Sequence, residues 1–321
     1  HWLLAWVGLE INALAFIPLM TKTHNPRAIE AAAKYILTQA TASTTLLFTA
    51  SLHAATSGAW GLTSLSPHMA IPITIALCMK LGLAPTHFWY TDALLGISLK
   101  LGLMLSTWQK IAPMALLVLI SDQISPVLLL SLGLLSAIIG GWGGINQSQL
   151  RKILAFSSIA HMGWTIVVLK FSVPLALFTF FTYLILTSAM FMNMITLHMT
   201  TINDFVAAWT KSPTVAVTTF LVILSTAGMP PLSGFTPKLL ISIQLAKDSP
   251  FLVALLFMTS LLSLYFYLRL IYTAILAIPS MPALYAAPWR PPQKTYKVLP
   301  LINTLAIGML PLAPLLIPMA Y

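Results

Sequence analysis

Residues 229–238 read MPPLSGFTPK, and this stretch decides how the surrounding chain folds. It lies in an apolar run, 213–244, that is too long for one straight helix across a membrane. Its three prolines lack an amide hydrogen, so each leaves a backbone carbonyl without its helical donor. Such carbonyls are tolerated at membrane depth only inside protein or beside water. The stretch therefore predicts a helix that is broken inside the membrane, with water reaching Lys238.

The composition of the whole chain indicates a membrane protein. Hydrophobic residues make up 59% of the chain and charged residues only 7%, whereas a soluble domain carries roughly a quarter charged residues. Apolar runs of about 20 residues, the length of helix that crosses a bilayer, recur from end to end. We predict an all-α, polytopic transmembrane helix bundle. Its ten predicted spans are 2–20, 29–52, 67–89, 97–119, 124–144, 150–169, 174–197, 213–244, 250–278 and 299–319.

The distribution of cations predicts the orientation of the bundle and excludes nucleic acid as a partner. The net charge is +10, but the lysines and arginines are scattered and form no basic face. One set of alternate loops is rich in cations, which places it in the cytoplasm or the mitochondrial matrix. This set carries Lys22, Arg27, Arg151, Lys152, Lys211, Arg290, Lys294 and Lys297, whereas the other carries Lys170 and Lys247.

Chain organisation indicates one transmembrane domain over 1–321. The longest linker, around 279–298, is too short to hold a soluble domain. The chain begins at His1 without the features of a signal peptide, and we expect it to lack an N-terminal helix. The single cysteine, Cys78, leaves no ligand set for an iron–sulfur cluster or structural zinc, so any redox centre belongs to a partner.

Five spans hold an ionisable residue near mid-depth: Glu10, Lys80, Lys110, His161 and Lys238. A charged group at the centre of a spanning helix costs about 2.5 to 3.5 kcal/mol, so such groups usually mark a polar path. The alternative is an interhelical ion pair that only fixes packing. Glu10 is the one acid at mid-span and cannot neutralise three lysines together. This imbalance favours proton transfer over static scaffolding.

A second interrupted span, KLGLAPTHFW at 80–89, again places Gly and Pro beside a lysine. Interrupted spans in both halves indicate a transporter built from inverted repeats. His87 either relays protons or hydrogen-bonds at the membrane interface. His161, with two serines on the same helical side, either carries protons along a file of water or packs against a carbonyl. The run GGWGG at 140–144 lacks the context of a phosphate loop and predicts close helix packing.

Four long runs in order along the chain carry a family resemblance. They are HNPRAIEAAAKYILTQATAS at 24–43, STWQKIAPMALL at 106–117, GGWGGINQSQLRKILAFSSIAHMGW at 140–164 and GMPPLSGFTPK at 228–238. They resemble the mitochondrial NADH dehydrogenase subunit 2 family, whose members are antiporter-like membrane subunits of respiratory complex I. The resemblance covers essentially the whole chain. It implies a bundle with two inverted repeats, placed in the mitochondrial inner membrane among other membrane-arm subunits and lipid.

The resemblance also implies a function without a cofactor on this chain. NADH, FMN, iron–sulfur clusters and ubiquinone would be bound by other subunits, and this chain would couple quinone reduction to proton translocation. By motif, Glu10 matches the family's membrane glutamate and Lys80 its lysine partner. Lys110 matches the central lysine, and Lys238 the lysine of the second broken helix. Histidines near the axis match His87 and His161.

Some positions depart from the family pattern. The family usually has a Pro-Glu pair and then Gln-Gly after HFW, where this chain has Thr91, Asp92 and Leu95, and Lys100 replaces a small polar residue. We expect these changes to alter the geometry of that loop. Two alternatives to a proton-pumping subunit stay open from the sequence: an autonomous cation/proton antiporter and an inert structural spacer.

Overall fold

The computed structural model describes residues 1–22, 24–62, 65–276 and 296–310. Across these ranges the secondary structure is helical. The only β-pairing within them is one isolated antiparallel bridge between Gln149 and Thr201. The predicted all-α bundle is confirmed. The helices are α1 Trp2–Thr21, α2 Pro26–Ser57, α3 Pro67–Leu81, α4 Phe88–Gly96, α5 Leu99–Ser106, α6 Trp108–Ile120, α7 Pro126–Gly143, α8 Leu150–Leu169, α9 Val173–Leu197, α10 Ile202–Val206, α11 Ala208–Lys211, α12 Pro213–Ala227, α13 Phe235–Asp248, α14 Pro250–Leu276 and α15 Leu299–Gly308.

Six continuous stretches are long and apolar enough to cross a membrane: α1, α5 to α6 with the turn that follows, α7, α8, α9 and α14. Of the other predicted spans, α2 is a 32-residue helix rich in alanine and threonine, and two are the broken pairs α3/α4 and α12/α13. The tenth begins as α15, and the rest of its predicted range lies outside the described residues. The predicted 279–298 linker also lies almost wholly outside them.

The two broken pairs share their design. Both α3 and α12 are 15 residues long, begin with proline and end at a glycine in the left-handed region, Gly82 at φ 73° and Gly228 at φ 80°. A 15-residue helix rises about 22 Å, less than a hydrocarbon core of about 30 Å, so each break falls within the membrane. Both predicted breaks are confirmed. The predicted end of the first pair at 89 is wrong, because α4 continues to Gly96 and covers the remaining depth.

A third interruption, between α5 and α6, was not expected from the sequence. Thr107 has φ −113° and ψ −72° and separates the two helices without a glycine or a proline at the break. The carbonyl of Ser106, just before it, accepts a hydrogen bond at 2.9 Å from the Tyr183 hydroxyl on α9. The irregular backbone therefore finds a donor inside the bundle, as membrane depth requires.

Helix ends meet in the alternating order that the loop cations predict. On one face, Arg151 Nη1 donates to the Ile97 carbonyl at 2.6 Å, and Leu150 N donates to the Thr200 carbonyl at 3.1 Å. A Cβ on Gly96 would lie 2.5 Å from the Arg27 carbonyl, so the start of α2 belongs to the same face. We call this the cation-rich face. On the opposite face Trp2 N donates to the Trp60 carbonyl at 3.0 Å.

Small residues let the central helices approach closely. A Cβ on Gly140 of α7 would lie 2.5 Å from Ala160 N of α8, which is closer than real Cβ contacts. The predicted close packing of the 140–144 run is therefore confirmed. Helix α8 is buried along most of its length, whereas outer helices carry exposed apolar side chains such as Leu4, Val127 and Phe251. This arrangement puts α8 at the centre of the bundle, and the exposed apolar surface suits lipid or neighbouring subunits.

Candidate functional site

Two of the predicted lysines line one internal cavity. Lys80 lies in the last turn of α3 and Lys110 near the start of α6, and their side chains are only 5% and 2% exposed. Both line a cavity together with Tyr35, Gln39 and Gln109. The volume that the centre of a water molecule can occupy in this cavity is about 10 Å³. This is room for about one water molecule. The cavity therefore connects two cationic side chains through polar groups.

Lys110 is held by aromatic side chains rather than by a carboxylate. Its Nζ donates a hydrogen bond to the Tyr183 hydroxyl at 3.0 Å. It also lies 4.4 Å from the centre of the Tyr90 ring and 5.0 Å from that of Tyr183. Cation–π contacts stabilise an ammonium most when water is excluded. Because neither ring carries a full negative charge, Lys110 is free to gain or lose its proton without breaking an ion pair.

Among the described residues, Lys80 Nζ has no hydrogen-bond partner, and the same is true of Glu10 Oε2 on α1. Glu10 lies near enough to act on Lys80 electrostatically, but the two side chains form no salt bridge among the described residues. Buried charged atoms without partners are costly. The arrangement is therefore poised for a bridging water or for a side-chain movement that closes the gap.

An amide pair stands beside these two groups. Asn12 Nδ2 donates to Gln109 Oε1 at 2.9 Å, and Gln109 Nε2 donates back to Asn12 Oδ1 at 3.3 Å. Asn12 follows Glu10 by two positions on α1, and Gln109 precedes Lys110 on α6. The pair joins α1 to the start of α6, the helices that carry Glu10 and Lys110.

His161 on α8 lies between Lys110 and Lys238, in the row of buried ionisable side chains. Its ring centre is 6.0 Å from that of Tyr183, the residue that binds Lys110, and it is within electrostatic reach of both Lys110 and Lys238. It also lies beside the backbone of Thr226 at the end of α12. The neighbouring Ser157 and Ser158 are buried, but each donates to a carbonyl of its own helix and not to His161. Ser158 also lies beside the hydroxyls of Tyr90 and Tyr183, so the predicted part of the serines in a proton file stays a prediction.

Lys238 donates a hydrogen bond to the backbone at the second helix break, between α12 and α13. It lies in the first turn of α13, is 8% exposed, and its Nζ donates to the Ala227 carbonyl at 2.8 Å. Ala227 is the last residue of α12, where carbonyls lack helical donors and the helix dipole is negative. Gly228 leaves the room for this contact, because a Cβ there would lie 2.8 Å from Lys238 Nζ. The break thus supplies a site for a cation without any carboxylate.

His87 lies away from this row. It is buried in the break between α3 and α4, and its ring packs against Phe88 at 4.2 Å and Phe156 at 6.2 Å between centres. Its Nδ1 has no hydrogen-bond partner. It does not line the cavity shared by the lysines. The structure therefore brings together the cavity lysines, Tyr183 and His161, and leaves His87 in an aromatic setting.

The residues that depart from the family pattern lie on α4 and at the start of α5, near the cation-rich face. Asp92 on α4 binds Lys34 at 2.7 Å, and Glu30 binds the same ammonium at 2.7 Å. Thr91 is buried and donates to the Phe88 carbonyl at 2.8 Å, and Lys100 is exposed near the start of α5. Asp92 thus keeps a negative charge in an ion pair that also joins α4 to α2.

Sequence reasoning missed Tyr90, Tyr183 and the Asn12–Gln109 pair. Polar aromatics are common in apolar spans, so nothing local distinguished them. One feature of the sequence did point to such a residue. Because Glu10 could not neutralise three lysines, Lys110 needed an uncharged hydrogen-bond acceptor. Within the described residues no group of three His, Cys, Asp or Glu side chains is arranged to hold a metal ion.

Comparison with known proteins identifies the class. A family profile described as NADH:quinone oxidoreductase/Mrp antiporter, TM, matches residues 1–263. The fold is similar to a chain of respiratory complex I from Thermus thermophilus, with a TM-score of 0.80, 25% identity, and coverage of 100% of this chain and 73% of that chain. A chain of the Mrp complex from a Dietzia species shares the fold, with a TM-score of 0.78, 20% identity, and 98% and 72% coverage. The chain is an antiporter-like membrane protein.

Closer relatives narrow the class to one family. A second profile, NADH dehydrogenase subunit 2 C-terminus, matches residues 264–317. NADH-ubiquinone oxidoreductase chain 2 of Aquarana catesbeiana is 52% identical over 318 residues, covering 99% of this chain and 92% of that protein. The Salmo salar protein of the same name is 51% identical, with 98% and 91% coverage. The chain belongs to the NADH-ubiquinone oxidoreductase chain 2 family.

Proposed function

We propose that Glu10, Lys80, Lys110, His161 and Lys238 form the proton path of this chain, which is a proton-translocating core membrane subunit of NADH-ubiquinone oxidoreductase. The observation that supports this role is the buried row of lysines whose ammonium groups lack carboxylate partners. A lysine fixed in a salt bridge resists losing its proton more strongly than one held only by a neutral hydroxyl, a ring face or a carbonyl. The row therefore suits repeated protonation.

Repulsion between neighbouring cations would move the proton along the row. Lys80 and Lys110 share one small cavity without a carboxylate among its described lining residues. Two ammonium groups on the walls of one buried cavity disfavour each other's charge, because the surroundings screen charge poorly. A proton arriving on Lys80 therefore favours release from Lys110. Approach of Glu10 to Lys80 stabilises the charge there and permits the next proton to enter.

The second half of the path runs from Lys110 to Lys238 by way of His161. The rings of His161 and Tyr183 are direct neighbours, with their centres 6.0 Å apart. An imidazole can accept a proton on one nitrogen and release one from the other. Lys238 then receives the charge at the break after α12, where the Ala227 carbonyl stabilises it. The break also gives water a route to this lysine.

Redox chemistry belongs elsewhere in this proposal. NADH, FMN, iron–sulfur clusters and ubiquinone are bound by other subunits, and this chain receives the free energy through contacts in the membrane arm. It works in the mitochondrial inner membrane as one multi-pass domain, alongside other antiporter-like subunits and lipid. Moving one charge across a potential of 100 mV takes about 2.3 kcal/mol. Making or breaking one buried ion pair supplies energy of that size.

Lys110→Met tests the path in the assembled complex. The substitution keeps an unbranched side chain but removes the titratable group, so NADH-driven proton uptake and coupled NADH oxidation are expected to fall together. The matched control is Lys100→Met, which removes an exposed lysine from the same span and is expected to leave both rates unchanged. Proton uptake per NADH that stays normal at full activity in Lys110→Met would show that Lys110 is part of an inert spacer.

A further inference from the structure

The cation-rich face contains a cavity that the proton path does not use. It has a volume of about 540 Å³ and lies where the start of α2, the connection between α4 and α5, and the start of α8 converge. Its polar lining consists of Asn25, Arg27, Ser98 and Arg151. None of its described lining residues is acidic. A neighbouring cavity of about 410 Å³ shares Arg27 and Arg151 and extends toward Lys34.

The two arginines line the same cavity and carry like charges. Arg27 lies near enough to Arg151 for the two guanidinium groups to repel. Within the described residues neither forms a salt bridge, because both carboxylates in the neighbouring cavity bind Lys34 instead. Two like charges held together cost free energy unless an anion lies between them. Arg151 is held in place by its bond to the Ile97 carbonyl, while its buried Nε has no partner.

Two neutral donors complete the lining. Asn25 and Ser98 immediately precede α2 and α5, but neither side chain caps its helix. The amide hydrogens of Asn25 and the hydroxyl of Ser98 therefore remain available for a ligand. Planar guanidinium groups with extra neutral donors match the geometry of a phosphate group, which arginine binds through paired hydrogen bonds.

We propose that this cavity binds a phosphate-type oxyanion between Arg27 and Arg151. The location at the membrane surface, on the side rich in loop cations, suits the headgroup of an anionic phospholipid. A soluble phosphate offers the same chemistry. Binding would neutralise the two arginines and tie α2, the α4–α5 connection and α8 together at this end of the bundle.

Arginine-specific labelling with phenylglyoxal tests the site in the intact, delipidated complex. Mass spectrometry of peptides measures the labelling rate at Arg27 and Arg151, and Arg269 on α14 is the internal control because it is exposed and lies outside the cavity. The probes are inorganic phosphate, vesicles of phosphatidylcholine alone, and vesicles that also contain phosphatidylglycerol. Saturable protection of the cavity arginines, with Arg269 unaffected, supports the site.

The probes distinguish the sources of the anion. Protection by phosphatidylglycerol vesicles but not by inorganic phosphate assigns the site to a lipid headgroup, and the reverse assigns it to a soluble anion. Equal labelling with and without every probe would overturn the proposal. So would an absence of labelling from the outset, which would show that the two arginines are not accessible in the delipidated complex.

A variant makes the test specific to this cavity. Arg27→Gln removes one guanidinium from an exposed position, so the complex is expected to assemble. Losing one charge-assisted contact should raise the anion concentration for half-protection of Arg151 by about tenfold or more. The control is Lys22→Gln, which removes a cation from the same face but outside the cavity and is expected to leave protection unchanged. Unaltered protection in Arg27→Gln would contradict a site shared by the two arginines.

Discussion

Removing one hydroxyl group from Tyr183 is the sharpest test of how Lys110 holds its proton. The Tyr183 hydroxyl accepts the one hydrogen bond that Lys110 Nζ makes among the described residues, at 3.0 Å. A hydrogen bond to a charged group contributes about 1.5–3 kcal/mol. Tyr183→Phe keeps the ring, and so keeps the cation–π contact, but removes this stabilisation. The protonated form of Lys110 is then disfavoured by roughly 10-fold to 150-fold.

We expect this loss to appear in proton pumping. If proton transfer through Lys110 limits the rate, NADH-driven acidification of vesicles by the Tyr183→Phe complex should fall about tenfold or more. Tyr90→Phe provides a matched control, because Lys110 Nζ contacts the ring of Tyr90 but donates its hydrogen bond to the hydroxyl of Tyr183. That variant should pump normally. Equal pumping by the two variants, both assembled, would refute the assigned role of the Tyr183 hydroxyl.

Two further predictions concern the second break and the cation-rich face. Gly228→Ala should impair pumping, because the new Cβ would lie 2.8 Å from Lys238 Nζ. The control is Gly58→Ala: Gly58 has a similar φ of 71° but open space around it. The pumping rate of this control variant therefore gives the effect of backbone strain alone. Hydrogen bonds from the backbone and hydroxyl groups of the loop before α10 hold the pKa of Asp204 below its usual range. The capping contribution of Asp204 is therefore complete above about pH 4 and is lost as pH falls below it. Hydrogen exchange of the loop amides, corrected for intrinsic rates, should accelerate over that range in the native chain and show no such step in Asp204→Asn.

Local sequence patterns were sufficient for most of the spans that the structure describes and for two of the three breaks. Whether a segment enters the membrane depends on the summed transfer free energies of its own residues. That sum can be calculated from the sequence alone. Proline and glycine interrupt a helix through their own backbone chemistry, so Gly82 and Gly228 marked their breaks. The break at Thr107 had no such signal. It depends on a donor from Tyr183, which is 77 residues away from the Ser106 carbonyl it binds.

The sequence by itself determined that this chain is a helical membrane bundle with broken helices and ionisable residues at depth, because each of those properties is local. Only the tertiary structure decided what each ionisable group faces. It placed Lys80 and Lys110 in one cavity, gave Lys110 a tyrosine hydroxyl and gave Lys238 the carbonyl at a helix end. Within the described part of the chain it left Glu10 without a salt bridge. The physical reason is that a buried charge is governed by the atoms packed around it, and those atoms come from helices that are distant along the chain.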